Sequence, residues 1–327
     1  MMPGRPATRI KLLTAIFLLV VAALGLTVGP AAWAAESGTG LYVLGYQSSL
    51  AGYLPNPGLY FRNDSYWYQG NAKLLPFSGR IEADLRSRAM FDLFSLTYVT
   101  KWKILGANYA LGAIGSVGNV SLKGKLTFPS MPFTPINSLS VTREGDFTSM
   151  GDLVVSPLIL GWHLGNFHIM GMGNVYAPTG NYNKDRRLNV GLNRWALEPN
   201  VAVTWLQPKY GQEVSLALGY TVNFENPATQ YRTGNEFHLE YFLGQNLPKG
   251  FALGLAGYLY QQVTGDSGPG ARLGAFHGQS IALGPCLTFN SKINGHAIGL
   301  NARYYNELKV INRFDGQSFF LTISLGL

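Results

Sequence analysis

Charged and polar side chains recur at even spacing within three segments that are otherwise apolar or small. They are Arg194, Glu198 and Asn200 in the first segment, Glu236, His238 and Glu240 in the second, and Asn301, Arg303 and Glu307 in the third. Residues an even number of positions apart share one face of a β-strand, so each set points to one side of a sheet. Two interpretations are open: opposite charges pair across a filled interior, or the charged groups line a path for a substrate.

Aromatic residues follow the same parity and extend this inward face. They are Phe242, Tyr258, Tyr260, Tyr305 and Phe320. Aromatic rings in a row can form a slot for apolar or aromatic solutes. The residues predicted to line the interior are Arg194, Glu198, Glu236, His238, Glu240, Phe242, Tyr258, Tyr260, Arg303, Tyr305 and Glu307. A register shift of one residue would turn each of them to the opposite face.

The histidines do not have the spacing of a serine hydrolase site. The five are His163, His168, His238, His277 and His296, and none has a serine two residues further on. Ser280 follows His277 by three residues, which puts the two on opposite faces of one strand. Some outer-membrane lipid hydrolases are twelve-stranded and use a serine and histidine pair, so hydrolysis is kept as the less favoured alternative.

The remaining motifs predict no cofactor and no metal. Residues 178–181 lack the Gly-Lys-Ser/Thr ending of a phosphate-binding loop and are typical of a β-turn. Residues 264–268 hold one carboxylate, whereas a calcium loop needs several. Cys286 is the only cysteine, which excludes an intramolecular disulfide, and no Cys/His spacing resembles a zinc site. The sequence therefore predicts that the protein is not an enzyme.

The elements that position these residues are predicted to be antiparallel strands. The last nine residues, 319–327, place an apolar side chain at every second position, and this period of two recurs from about Gly58 onward. Twelve segments show it, with approximate bounds 57–68, 89–101, 103–118, 148–163, 166–177, 193–206, 211–224, 234–244, 250–263, 275–290, 295–309 and 317–327. Tight connections alternate with longer ones, as in an all-β, antiparallel transmembrane β-barrel with periplasmic turns and extracellular loops. Ten or fourteen strands are the alternatives, because the first two are poorly defined.

Residues 1–34 have the features of a cleaved signal peptide. Basic residues precede a long apolar run, and an Ala-Trp-Ala sequence before residue 35 offers small residues at both cleavage positions. Residues 35–327 are then a single outer-membrane barrel domain, in which residues 35–56 form an N-terminal periplasmic segment. The alternative is an uncleaved membrane helix, but glycines and Pro30 end the apolar run short of the ~20 residues that a span needs.

The balance of charge argues against a nucleic-acid partner. The formal net charge is +8, of which three basic residues belong to the predicted signal peptide. The remaining excess is scattered over predicted loops, whereas a nucleic-acid footprint is clustered on one face. Few charged residues, many glycines and abundant aromatic residues are typical of an exported barrel.

Seven motifs in order resemble a family of exported proteins that is associated with the meta-pathway of phenol degradation. They are residues 156–162 (SPLILGW), 177–182 (APTGNY), 193–195 (NRW), 231–237 (YRTGNEF), 257–258 (GY), 261–266 (QQVTGD) and 284–285 (GP). The resemblance covers roughly Gly58 to the C-terminus. It implies an outer-membrane channel for aromatic or other hydrophobic compounds, and it carries no settled catalytic or binding residues.

Together these observations predict a channel in the outer membrane of a Gram-negative bacterium that allows passive uptake of small hydrophobic, aromatic compounds. The expected partners are outer-membrane lipid, the solute and the barrel-assembly machinery. Residues 119–147 are predicted to be the extracellular loop that captures the solute. The alternative is a non-conducting structural or adhesive barrel whose interior is plugged and whose loops bind a partner.

Overall fold

The computed structural model describes residues 40–77, 80–128, 139–186, 188–272 and 274–327. The predicted signal peptide, residues 1–34, lies outside the described residues, so its cleavage stays a prediction. Thirteen strands are present in the described ranges. They are β1 (Gly58–Phe77), β2 (Arg80–Ile104), β3 (Ala107–Phe128), β4 (Leu139–Met150), β5 (Leu153–Leu164), β6 (Phe167–Ala177), β7 (Ala196–Gln207), β8 (Gln212–Asn223), β9 (Glu236–Asn246), β10 (Phe251–Gln262), β11 (Gln279–Ile293), β12 (His296–Ile311) and β13 (Asp315–Gly326).

These strands form one closed antiparallel sheet. The first and last strands close it, because β1 pairs with β13 from Tyr60 opposite Gly326 to Asn71 opposite Asp315. Strands β4 and β5 share one position in the wall, since β3 pairs with β5 along its N-terminal part and with β4 along its C-terminal part. The wall therefore has twelve positions, which confirms the predicted all-β, twelve-stranded antiparallel barrel. The predicted fourth strand is interrupted at Gly151 and Asp152.

The alternation that predicted the strands is visible in their burial. Along β8, Ala217 and Thr221 are buried in the interior, whereas Leu218 and Tyr220 are exposed on the outer wall. The same outer wall carries large exposed apolar side chains on most other strands, including Leu253 and Leu300. A wall of this kind is stable in lipid, which replaces water around the apolar residues. No helix in the described part of the chain is both long and apolar enough to cross a membrane.

Tight turns mark one end of the barrel. They follow β2, β5, β7, β9 and β11, and short turns lie on the periplasmic side in bacterial barrels. Gly165 and Gly295 occupy two of these turns with φ angles of 64° and 85°, a conformation that glycine adopts without a steric penalty. We call this end the periplasmic mouth and the opposite end the extracellular mouth.

The first strands are much longer than predicted. Residues 69–88 and 119–147 were expected to be loops, but most of both ranges belongs to β1 and β2 or to β3 and β4. The ladder between β3 and β4 includes an ion pair of 3.1 Å between the exposed side chains of Lys123 and Glu144. A strand that extends beyond lipid has polar residues on both faces, so the apolar alternation used for the prediction does not detect it. Residues 129–138 lie outside the described residues.

The chain before β1 lies inside the barrel. Residues 40–56 were predicted to be part of a periplasmic segment, but their backbone and side chains are hydrogen-bonded to inward-facing residues of the wall. We call residues 40–56 the inner segment. It begins beside Glu236 near the extracellular mouth and runs toward the periplasmic mouth, where β1 starts. The prediction was wrong because the sequence of this stretch does not reveal its location. It has no strand period, and the groups that donate hydrogen bonds to the wall are mostly backbone amides.

Candidate functional site

Glu240 is the main attachment point for the inner segment. Its carboxylate is buried in the barrel and accepts hydrogen bonds from the Tyr42 hydroxyl at 2.7 Å, the Gly45 amide at 2.5 Å and the Gln47 amide at 2.7 Å. Bonds to an ionised acceptor contribute more to stability than bonds between neutral groups. Backbone amides cannot be moved without moving the chain, so one carboxylate fixes three consecutive parts of the inner segment.

Two further wall residues attach the periplasmic part of the inner segment. Glu213 on β8 accepts hydrogen bonds from the Leu50 amide at 2.7 Å and the Ser49 hydroxyl at 3.1 Å. The Thr204 hydroxyl on β7 accepts one from the Gly52 amide at 2.9 Å. Gly52 also lies so close to the β6 and β7 backbones that a Cβ would meet them. The segment is thus bonded to β7, β8 and β9 along its length.

Arg303 on β12 holds the opposite side of the inner segment. Its guanidinium is buried and donates to the backbone carbonyls of Gly45 at 2.8 Å and Tyr46 at 3.1 Å. It also forms an ion pair of 3.2 Å with Asp64 on β1. Asp64 in turn accepts two bonds of 2.7 Å from Arg62. Here the predicted pairing of opposite charges describes the interior.

The predicted aromatic slot is a packed core. Phe242, Tyr258, Tyr260, Tyr305 and Phe320 form one hydrophobic cluster with Leu44 of the inner segment. Tyr42 and Val43 pack against the same cluster. All five wall aromatics are at most 3% exposed, so no open slot runs between them. The parity of these residues was predicted correctly, but the inner segment occupies the space they enclose.

His238 lies next to the inner segment rather than on a water-filled path. Its ring stacks on that of Tyr42, with ring centroids 3.8 Å apart. Its Nε2 atom is 3.6 Å from Glu198 Oε1, which is beyond hydrogen-bond distance. Glu198 accepts hydrogen bonds from the Thr221 hydroxyl at 2.8 Å and the Tyr176 hydroxyl at 3.0 Å. Hydroxyl groups therefore compensate much of the burial of this carboxylate.

Three of the predicted residues lie nearer the extracellular mouth. Glu307 accepts from four donors, which are the Tyr68, Tyr258 and Ser280 hydroxyls and the Gly316 amide. Glu236 accepts from the Tyr260 hydroxyl at 2.5 Å and from Asn223 at 3.1 Å. Arg194 donates through Nε to Asn223 at 3.2 Å, and within the described residues its two terminal nitrogens have no hydrogen-bond partner.

We call the interior formed by the inner segment and the inward faces of β8, β9, β10 and β12 the packed half. We call the interior bounded by β2, β3, β5 and β6 the open half. A cavity of about 1010 Å³ lies between the open half, the inner segment and the strand ends at the periplasmic mouth. Its wall is mainly apolar and includes Leu93, Ile114, Val154, Ile159, Met170 and Met172.

A second cavity of about 210 Å³ lies toward the extracellular mouth. Tyr258, Glu307 and Arg313 contribute to its lining. The same side chains line both cavities where they meet, and these include Tyr42 of the inner segment with Leu93, Ile114, Val154 and Tyr176 of the wall. We call this ring of residues the constriction. The constriction lies between the two cavities.

Three of the eleven predicted residues border these cavities, namely Arg303, Tyr258 and Glu307. The other eight belong to the packed half or to its extracellular end, and they line neither cavity within the described residues. Sequence reasoning missed the inner segment and the open half. A signal was present in the excess of inward carboxylates on β7, β8 and β9 over basic residues on the same strands, since buried carboxylates require donors from elsewhere.

A closed antiparallel barrel with an apolar outer wall is the architecture of outer-membrane proteins of Gram-negative bacteria, and this is the class and location of the protein. The family described as the putative MetA-pathway of phenol degradation matches residues 69–323, and the chain belongs to it. A comparison with curated protein sequences finds no match.

A solved outer-membrane channel has the same fold at low sequence identity. The chain is similar to the COG4313 outer membrane channel from Pseudomonas putida F1, with a TM-score of 0.61, 14% identity, and coverage of 83% of this chain and 96% of that one. A FadL homologue from Pseudomonas aeruginosa is more distant, with a TM-score of 0.39, 11% identity, and coverage of 90% and 98%. The first similarity independently supports the outer-membrane barrel fold.

Proposed function

We propose that this protein is an outer-membrane channel for passive uptake of small hydrophobic compounds, with aromatic molecules as the preferred class. The observation that carries the proposal is the mainly apolar cavity of about 1010 Å³ between the open half and the inner segment. A cavity of ~150 Å³ lined by apolar side chains is enough to bind benzene. The open half therefore has room for molecules considerably larger than one aromatic ring.

The chemistry of the wall favours neutral solutes. Leu93, Ile114 and Val154 at the constriction offer no directional polar contact. Arg62 and Arg303 border the cavity, but both are bonded to Asp64. An anionic solute would have to compete with that carboxylate, whereas a neutral aromatic solute leaves the ion pairs intact. Diffusion down a gradient needs no cofactor and no covalent step, so the proposal requires no catalytic residue.

The family assignment and the similarity to a channel are consistent with this proposal. The inner segment is the observation that favours the alternative, a structural or adhesive barrel that conducts nothing, because it fills the packed half. If solutes pass along the open half, a bulky side chain at the constriction should reduce influx. If the lumen is fully closed, the same side chain should change nothing.

The test is influx of a labelled alkylbenzene into liposomes with lipopolysaccharide in the outer leaflet, with the refolded mature barrel present or absent. We expect barrel-dependent influx that sugars do not inhibit. Val154→Trp places an indole in the constriction and should abolish most of it. The matched control is Leu197→Trp, because Leu197 lies on the outer wall.

Influx that is equal in Val154→Trp and Leu197→Trp would contradict passage through the constriction. No barrel-dependent influx from a correctly folded protein would instead favour the structural barrel. Folding of each variant is checked by the faster gel migration of the unheated barrel.

A further inference from the structure

Two histidine side chains converge at the periplasmic mouth, outside the cavities and the inner attachment points. His163 near the end of β5 and His168 near the start of β6 are directly opposite each other in the ladder. Their Nδ1 atoms are 2.7 Å apart. The tight turn at Gly165 joins the two strands, so the backbone fixes the separation of the two rings.

Two lone pairs directed at one point need a positive partner between them. In the free protein a proton fills this role, since one Nδ1 must donate and the other accept at 2.7 Å. A divalent metal ion can take the place of that proton. Both rings then carry their single proton on Nε2, because the displaced Nδ1 proton moves through water to the Nε2 of the same ring and the neutral pair releases no net proton.

The separation of the nitrogens can be compared with the geometries that different metals prefer. With a metal–nitrogen distance of about 2.0 Å, a right angle at the metal places the two nitrogens about 2.8 Å apart, and a tetrahedral angle places them about 3.3 Å apart. The observed 2.7 Å is close to the first value. Right angles are the preference of Cu²⁺ and Ni²⁺, and among divalent ions Cu²⁺ binds nitrogen ligands most strongly.

Access and surroundings are compatible with an ion at this point. The side chain of His163 is exposed and that of His168 is partly exposed, so an ion reaches them from the periplasm. The ring of Tyr53 lies against both, with centroid separations of 5.2 Å from His163 and 4.8 Å from His168. No group of three or more His, Cys, Asp or Glu side chains suited to a metal occurs in the described residues, so water would supply the other ligands.

We propose that His163 and His168 form a two-histidine site for a tetragonal divalent transition metal, with Cu²⁺ as the preferred ion. The ion would connect the ends of β5 and β6 beneath Tyr53, which places it next to the periplasmic end of the inner segment. The proposal is independent of solute transport, because it needs only the hairpin and the two rings.

The test is titration of the refolded, untagged mature barrel with Cu²⁺, followed by low-temperature electron paramagnetic resonance. We expect one strongly bound ion per barrel, with an axial spectrum whose splitting reports two nitrogen ligands. Zn²⁺ should compete only in large excess. His163→Gln and His168→Gln each keep a polar side chain at the mouth and remove one nitrogen ligand, so each should abolish the two-nitrogen spectrum.

The matched control is His296→Gln, which removes an exposed histidine at the same mouth that contacts the Gly326 carbonyl. This variant should bind Cu²⁺ as the unmodified barrel does. A two-nitrogen spectrum that persists in both His163→Gln and His168→Gln would overturn the proposal, as would the absence of any bound ion in the folded parent.

Discussion

The two halves of the lumen differ in the side chains that face the interior. The packed half presents buried carboxylates and Arg303 to the inner segment, and each of these groups is bonded to backbone amides or carbonyls. The open half presents mainly apolar side chains such as Leu93, Ile114 and Val154, and its polar side chains bond within the wall, as Ser156 does to Asn174. Directional bonds position a chain, whereas an apolar wall leaves the adjoining volume free for a mobile molecule. Under the proposed function, attachment of the inner segment and passage of the solute would occupy separate sides of one barrel.

The largest effect is expected when the inner segment, which fills the packed half, is removed. Deletion of residues 42–54 takes away the groups that bond to Glu240, Glu213 and Arg303. A twelve-stranded barrel is wider than the eight-stranded barrels that side chains fill and narrower than the water-filled porins, so removal of this filling should open a water-filled path through the lumen. We therefore expect conductance in planar lipid bilayers to rise several-fold and small sugars to enter liposomes. The strand content measured by circular dichroism should hardly change, because the wall pairs only with itself.

Unchanged conductance of the folded deletion variant would contradict the division into halves. It would mean that the inner segment does not limit ion flow. Leu197→Trp, which alters only the outer wall, is the control for effects of reconstitution.

A smaller effect, on the free energy of unfolding, should distinguish the wall of the packed half from the wall of the open half. Arg303→Met keeps most of the volume but removes five donors and leaves the carbonyls of Gly45 and Tyr46 without this partner. Breaking a buried ion pair by removal of one member costs about 3–5 kcal/mol. Asp64 retains Arg62, so we expect the lower end of that range.

Met170→Ala is the matched change in the open half. Met170 already borders the cavity, and deleting its end should cost about 1 kcal/mol or less, below the range for a fully buried methionine. The free energies of unfolding come from urea titrations that follow the heat-modifiable gel band. Equal losses for both variants would show that the two halves are packed alike.

Strand positions were largely predictable from the sequence, because lipid imposes a period of two on every strand that crosses it. The prediction of 166–177 for β6 and 211–224 for β8 differs from the observed bounds by one residue at either end or not at all. The same rule failed for the extensions of β1 to β4. These extensions leave the apolar layer, so the pattern that marks a strand in lipid is absent there.

The site was predictable only in part, since parity determines which way a side chain points but not what it meets. Glu240 and Tyr305 do face the interior, and their neighbours come from residues about two hundred or more positions earlier in the chain. No local pattern in the inner segment encodes that contact. The open half was missed for the same reason, because its cavity exists only where the inner segment leaves space.

Glu240→Gln tests one attachment in the packed half without changing its shape. The amide nitrogen of glutamine cannot accept a hydrogen bond, so either the Gly45 or the Gln47 amide loses its partner. We expect a loss of about 1–3 kcal/mol in the local stability of the segment. Hydrogen exchange at those two amides should accelerate accordingly, and the single-channel current should become noisier. Unaltered exchange would mean that the other attachments hold the segment by themselves.

The smallest expected effect concerns the loops above the packed half. Asp266 in the loop after β10 accepts hydrogen bonds from the Tyr231 hydroxyl, the Gly234 amide and Gln262. Burial nevertheless raises the pKa of Asp266 above its usual value. The folded protein then binds this proton more tightly than the unfolded chain, so stability declines as pH rises through the unfolded pKa of about 4 and levels off above the folded pKa.

Asp266→Asn removes that titration and keeps an oxygen acceptor, so its unfolding midpoint should depend less on pH over the same interval. The measurement is a series of urea titrations from acidic to neutral pH, compared with Asp185→Asn in the exposed loop between β6 and β7. A slope that Asp266→Asn and Asp185→Asn change equally would mean that burial does not shift the titration of Asp266. A slope flattened only by Asp266→Asn would show that this loop holds its carboxylate in a buried site through directional bonds, as the wall holds the inner segment.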